Sequence, residues 1–205
     1  MIDLLRTIIA HGGLTVVLIA LASLVALTVV IERCWRLLPL RRRFALARQA
    51  CRDALLRAGP AEAIASLSAA EPMARVLRSG LLLHERGPEA VRGAALGAAQ
   101  QEVASIERGL GIIQIVSQIA PWLGLLGTVV GLMDVFSRSG SGPGGLTHAT
   151  ASSGISQALG CTVAGLAVAI AAYVAYQLLS GLSTRLIDEL EGAAEELPSF
   201  LKSRG

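Results

Sequence analysis

The chain has 205 residues, of which 53% are hydrophobic, 16% charged and 3% aromatic. That excess of apolar over charged residues excludes a disordered chain, which needs the reverse, and a soluble domain carries about a quarter charged residues. The net charge of +3 does not mark a nucleic-acid binder, because the basic residues flank apolar runs and lack interleaved aromatics on which bases stack.

The first apolar run, Leu14 to Ile31, is uncharged and is followed at once by Glu32 and Arg33. A bilayer-crossing helix needs about 20 mostly apolar residues, so 14–32 is read as a retained span. A cleaved leader fits less well, since residues 1–13 hold one acid and one base and the run is long for such a signal. Residues 33–111 are rich in the helix formers Ala, Leu, Arg and Glu. Gly59-Pro60, Glu71-Pro72 and Gly87-Pro88 punctuate them, which predicts three or four helices and no sheet.

Toward the end of this segment Leu96, Ala99, Val103, Ile106, Leu110 and Ile113 alternate at spacings of three and four, a heptad seam. The same register continues through Ser117, Ala120, Gly124, Gly127 and Gly131. Branched aliphatics give way to small residues where the second span, 112–136, begins. In water, burial of Leu and Ile drives helix association; in lipid that force is absent and close backbone approach replaces it. The pattern predicts one long helix from about Glu89 to Phe136, with two separate helices as the alternative.

Residues 139–184 contain no Asp, Glu, Lys or Arg. They comprise most of a Gly/Ser-rich loop, 137–153, and a third span, 154–182. At 1.5 Å per residue the third span reaches ~43 Å, beyond the ~30 Å hydrocarbon core, so one end should project into water. The tail, 183–205, continues with Leu182, Leu186, Leu190, Ala193 and Leu197 on one face. Pro198 is expected to end that helix. The opposite face holds Asp188, Glu189, Glu191, Glu195 and Glu196, either solvated or meeting arginines of a neighbouring subunit.

Thirteen of the eighteen Lys and Arg residues lie in 33–111, three follow Leu182, and one each lies in residues 1–13 and 137–153. The positive-inside rule therefore places the middle segment and the C-terminus in the cytoplasm and the N-terminus outside. The fold class is an all-α, multi-pass membrane protein with three transmembrane helices and long cytoplasmic helical extensions.

Chemistry-bearing residues are few. Cys34, Cys51 and Cys161 are scattered, as reduced thiols are. The three histidines are solitary and give no metal site, and no base partners the loop serines, so no enzyme is read here. Gln114, Ser117, Pro121, Gly124, Thr128 and Gly131 form one stripe of the second span, and Ala158, Cys161, Thr162, Gly165, Ala169 and Ala172 one stripe of the third. Each stripe has one hydroxyl among small residues. Small residues with a Thr bonded to its own helix suit tight packing; exposed hydroxyls suit an ion path.

The segment Ala120-Pro121-Trp122-Leu123-Gly124-Leu125-Leu126-Gly127-Thr128-Val129-Val130-Gly131-Leu132-Met133, together with Gly154-Ile155-Ser156-Gln157-Ala158-Leu159-Gly160-Cys161-Thr162-Val163-Ala164-Gly165, resembles the signature of the MotA/TolQ/ExbB proton-channel family. Three spans point to its ExbB/TolQ branch. The resemblance implies a homo-oligomer, a pentamer, around the transmembrane helices of an ExbD/TolR-type partner that brings a membrane Asp. It further implies that Thr128 and Thr162 line the ion path, and that proton flow drives a TonB- or TolA-like protein. It implies no cofactor beyond the transported ion. The residues agree with a borrowed acid: hydroxyls and amides do not titrate near pH 7. Asp134, about six residues or ~9 Å beyond Thr128, fits either an interfacial residue or an entry-site carboxylate. Where the family's familiar members carry Glu, this chain has Gln157, which cannot hold a proton.

Overall fold

The computed structural model describes residues 2–68, 70–139 and 148–202. They form α1 (Ile2–Arg57), α2 (Pro60–Ser66), α3 (Pro72–Leu81), a 3-10 turn (His84–Arg86), α4 (Pro88–Glu107), α5 (Leu110–Ser139) and α6 (His148–Lys202), with no strand among the described residues. Three stretches are long and apolar enough to cross a membrane, one in α1, one along α4 and α5, and one in α6. The core of the Gly/Ser-rich loop, 140–147, lies outside the described residues.

The stops are those the punctuation predicts. Pro60, Pro72 and Pro88 each open a helix, where the missing N–H would have no partner anyway. Gly59 and Gly87 precede two of them at φ 99° and 94°, backbone conformations that glycine reaches without a Cβ clash.

Two expectations are corrected. The single helix expected over 89–136 is interrupted between Glu107 and Leu110. Arg108 takes φ −49° and ψ 133° and Gly109 φ +80°; no helix passes through that pair. Pro198 lies inside α6 rather than ending it. Pro198 has no N–H to bond the carbonyl four residues back, yet α6 continues for about one more turn to Lys202. Buried Leu197 holds that turn, and Ser199 Oγ donates to the Glu196 carbonyl at 2.6 Å.

The chain divides into two compact units. Unit 1 comprises residues 1–32 and 109–178, and unit 2 residues 33–108 and 179–205.

Unit 2 has an aliphatic core. Leu37 and Phe44 of α1, Met73, Val76, Leu77 and Leu81 of α3, Val91 of α4, and Leu186, Leu190 and Leu197 of α6 are all buried. α3 lies close on α4: a Cβ built on Gly80 would stand 3.0 Å from the Val91 carbonyl oxygen, 3.1 Å from Ala95 Cβ and 2.5 Å from Leu197 Cδ2. The buried positions of α4 are therefore Val91, Ala95, Ala99, Glu102 and Ile106. Ala99 and Ile106 match the expected seam, while Leu96 and Val103 are half-buried. Their places go to Ala95, opposite Gly80, and to Glu102, which accepts two bonds from Arg75 at 2.7 Å each. That paired geometry raises the Arg75 pKa above its ordinary value, chiefly through the side-chain hydrogen bonds.

The acidic face of α6 meets arginines of the same chain. Arg92 pairs with Glu195 at 3.0 Å and Arg48 with Glu196, and Arg52 stands 5.6 Å over the Phe200 ring. Cys51 is buried, and desolvation raises its thiol pKa to about 11, which leaves it inert as a nucleophile at neutral pH.

Candidate functional site

In unit 1 the small-residue stripes of α5 and α6 face each other at backbone distance. A Cβ added at Gly124 would stand 3.0 Å from both the Cys161 carbonyl oxygen and Thr162 Cα, and 3.3 Å from Gly165 Cα. At Gly165 it would meet the Ala120 carbonyl oxygen at 2.5 Å and Gly124 Cα at 2.9 Å. At Gly127 it would meet Cys161 Cβ at 2.7 Å and Thr15 Oγ1 at 3.0 Å, and at Gly131 Ala158 Cβ at 2.8 Å. Only glycine allows this approach. Ala120, Gly124, Gly127, Ala158, Cys161, Gly165, Ala169 and Ala172 are buried accordingly.

The two predicted hydroxyls end on consecutive carbonyls of α5. Thr162 Oγ1 donates across the helix pair to the Gly124 carbonyl at 3.1 Å. Thr128 Oγ1 donates within its own helix to the Leu125 carbonyl at 2.6 Å. Both residues are half-buried. A carbonyl only accepts, so each hydroxyl has committed its one proton and keeps lone pairs. In this arrangement the pair receives a hydrogen bond more readily than it gives one.

The other predicted residues are distributed around this point. Pro121 lies in α5 one turn before Gly124 and is half-buried. Ser117 Oγ donates to the Gln114 carbonyl at 2.7 Å, at the end of α5 nearer Leu110. Gln157 and Asp134 are both exposed in the chain. Gln157 precedes Thr162 by five residues, which turns it roughly 140° around the helix. Asp134 is likewise turned roughly 120° from Thr128. Thr128 and Thr162 thus both bond the Gly124–Leu125 stretch of α5, whereas Gln157 and Asp134 lie on other faces.

Thr15 is a residue that sequence reasoning passed over. It is 7% exposed, beside the Gly127–Cys161 contact, and brings a third hydroxyl from α1. Its sequence context does not separate it from Thr28, which is exposed and merely bonds the Leu24 carbonyl of its own helix at 2.8 Å.

From Leu110 to Phe136 and from Gly154 to Leu178 the two helices have one ionisable acid, Asp134, and no base. No group of three His, Cys, Asp or Glu residues among the described residues converges as a metal would require. The site consists of hydroxyls, backbone carbonyls and glycine clefts. It can orient water or hold a protonated carboxyl; it cannot itself carry a proton through a titration.

The model of the MotA/TolQ/ExbB proton channel family matches residues 68–192. The ExbB-like 3 biopolymer transport protein of Synechocystis is 36% identical over 192 residues, covering 90% of each chain. ExbB-like 1 of the same organism is 35% identical over 196 residues, 91% of this chain and 74% of its own. The Tol-Pal system protein TolQ of Pseudomonas aeruginosa is 35% identical over 113 residues, 55% of this chain and 48% of its own. With the family model matching 125 of its 205 residues and relatives aligned over nearly its whole length, this chain belongs to the MotA/TolQ/ExbB proton channel family.

Proposed function

We propose that the chain is the stator subunit of an ion-coupled motor of the inner membrane, a homo-oligomer that surrounds a partner of the ExbD/TolR type. Proton flow past Thr128 and Thr162 moves that partner, which energises a TonB- or TolA-like protein for outer-membrane transport; motors of the same family for gliding or polymer export are the variants of this reading. The ExbB and TolQ names of its relatives support it. The observation that carries it is the pair of hydroxyls on adjacent carbonyls of α5, in helices without a carboxylate or a base at that depth. An intramembrane proton path needs an ionisable side chain, so the acid comes from another polypeptide. Because both hydroxyls already donate, they favour its neutral, protonated form, which donates back to them.

Gln157 in place of the familiar Glu then removes a charge from a different helix face, and the hydroxyl step does not depend on it. Asp134 is read as an interfacial residue. Purification from the native membrane should bring down a small protein with a membrane Asp, and the complex in liposomes should conduct protons. Loss of that Asp should abolish the flux.

The glycine clefts favour one other reading, a scaffold that oligomerises and conducts nothing. The liposome measurement separates the two: a scaffold gives no flux with the partner present.

A further inference from the structure

Unit 2 contains a pocket of about 370 Å³ whose charged lining is entirely basic: Arg33, Arg36, Arg43 and Arg75. Trp35, Pro39, Leu40 and Ile106 supply its apolar part. Arg33 is 3% exposed and reaches the Ser105 carbonyl at 3.5 Å. Glu71 at 3.2 Å from Arg43 and Glu102 on Arg75 offset part of the charge. Each guanidinium has five N–H donors, so an arginine already paired can still bond an anion.

The neighbourhood identifies the kind of anion. α1 runs unbroken from the apolar stretch that ends at Ile31 into Arg33, Trp35 and Arg36. At 1.5 Å per residue, Trp35 lies ~6 Å and Arg36 ~8 Å past that end, the depth of lipid headgroups. Trp35 is 81% exposed, and an indole at that depth is an interfacial anchor. A basic pocket on the positively charged side of a span binds acidic headgroups. A soluble anion needs neither the indole nor the apolar wall.

We propose that this pocket holds the phosphodiester headgroup of an anionic phospholipid, of the phosphatidylglycerol or cardiolipin type. Arg36 and Arg43 contact the phosphate from α1, and Arg33 and Arg75 supply the positive field behind it. This site is separate from the Thr128–Thr162 pair and does not depend on ion conduction.

The test uses the full-length assembly in nanodiscs of phosphatidylcholine in which about one lipid in five is the anionic phosphatidylglycerol. Retained lipid is counted by native mass spectrometry. Arg36→Gln/Arg43→Gln should retain at least about fivefold less phosphatidylglycerol than the parent, about 1 kcal/mol at 1.4 kcal/mol per tenfold. Arg41→Gln/Arg42→Gln removes the same charge from the same helix outside the pocket and should retain parental amounts. Equal loss in both pairs means diffuse surface attraction and overturns the proposal, as does no loss in either. Displacement by millimolar inorganic phosphate would assign the pocket to a soluble anion and overturn it too.

A second measurement does not depend on the arginine variants folding. The chain has two tryptophans, Trp35 and Trp122, so Trp122→Phe leaves Trp35 as the sole emitter. Brominated phosphatidylglycerol should quench it with at least about threefold higher affinity than brominated phosphatidylcholine, roughly 0.7 kcal/mol on the same scale. Equal quenching would contradict the site.

Discussion

The two units solve helix packing with opposite materials. In unit 2, helices meet through Leu, Phe, Val and Met side chains, with Arg75–Glu102 set into the seam. In unit 1, α5 and α6 meet backbone to backbone through Gly124, Gly127, Gly131 and Gly165. The difference follows the solvent. Water rewards removal of branched aliphatics from its contact, whereas lipid is as apolar as they are and rewards only close van der Waals fit and satisfied polar groups. Hence Thr162 bonds a carbonyl of the neighbouring helix, which the glycine clefts bring within reach.

One methyl group, added on each side, tests this contrast. In unit 1, Gly165→Ala sets Cβ 2.5 Å from the Ala120 carbonyl oxygen and 2.9 Å from Gly124 Cα. Both obstacles are backbone, so α5 and α6 must separate. About 3 kcal/mol of destabilisation is expected, the upper end for overpacking, seen as a large drop in thermal stability and broadening of the oligomer peak. In unit 2, Gly80→Ala brings Cβ within 2.5 Å of Leu197 Cδ2, the far end of a flexible side chain, and comes no nearer than 3.0 Å to backbone, at the Val91 carbonyl oxygen. About 1–2 kcal/mol is expected there, read by thermal unfolding. Equal losses would remove the distinction between the two seams.

The polar insert in the aliphatic seam gives an effect of the same size as Gly80→Ala. Glu102→Gln keeps the volume but leaves Arg75 without its carboxylate. Removing one partner of a buried pair costs about 3–5 kcal/mol, but the Arg75 side chain is 40% exposed, and water reduces this to about 1–2 kcal/mol. Chemical denaturation should show it. Smaller still is Arg92→Gln. The Arg92–Glu195 pair is 48% and 57% exposed, so its loss should change stability by under about 1 kcal/mol and vanish in high salt. A salt-independent loss would mean that this contact is more than a surface pair.

What the sequence disclosed follows the same division. Charge-free runs and Gly-Pro pairs mark spans and helix stops, because lipid and proline geometry act locally. The stripes that meet across α5 and α6 were legible for the same reason: a helix that must touch another closely leaves small residues at every third or fourth position. The break at Gly109 was not legible. Gly93, Gly97 and Gly111 lie nearby inside helices, and nothing local distinguishes the glycine that turns to φ +80°. The partners of Glu195 and Glu196 were equally hidden, since Arg92 and Arg48 are about 100 and 150 residues away. Glu102 falls outside the expected seam, and its burial rests on pairing with Arg75, 27 residues earlier. At the candidate site, spacing singled out Thr128 and Thr162, while which carbonyl each hydroxyl chose required the neighbouring helix.

Proton flux through the reconstituted native complex, compared between the parent and Thr162→Val, tests the central claim most directly. Valine keeps the shape and removes the hydroxyl that spans to Gly124. The account predicts at least about a tenfold fall in flux, some 1.4 kcal/mol on a barrier, with the oligomer and its partner still assembled. Undiminished flux from an intact assembly would contradict it.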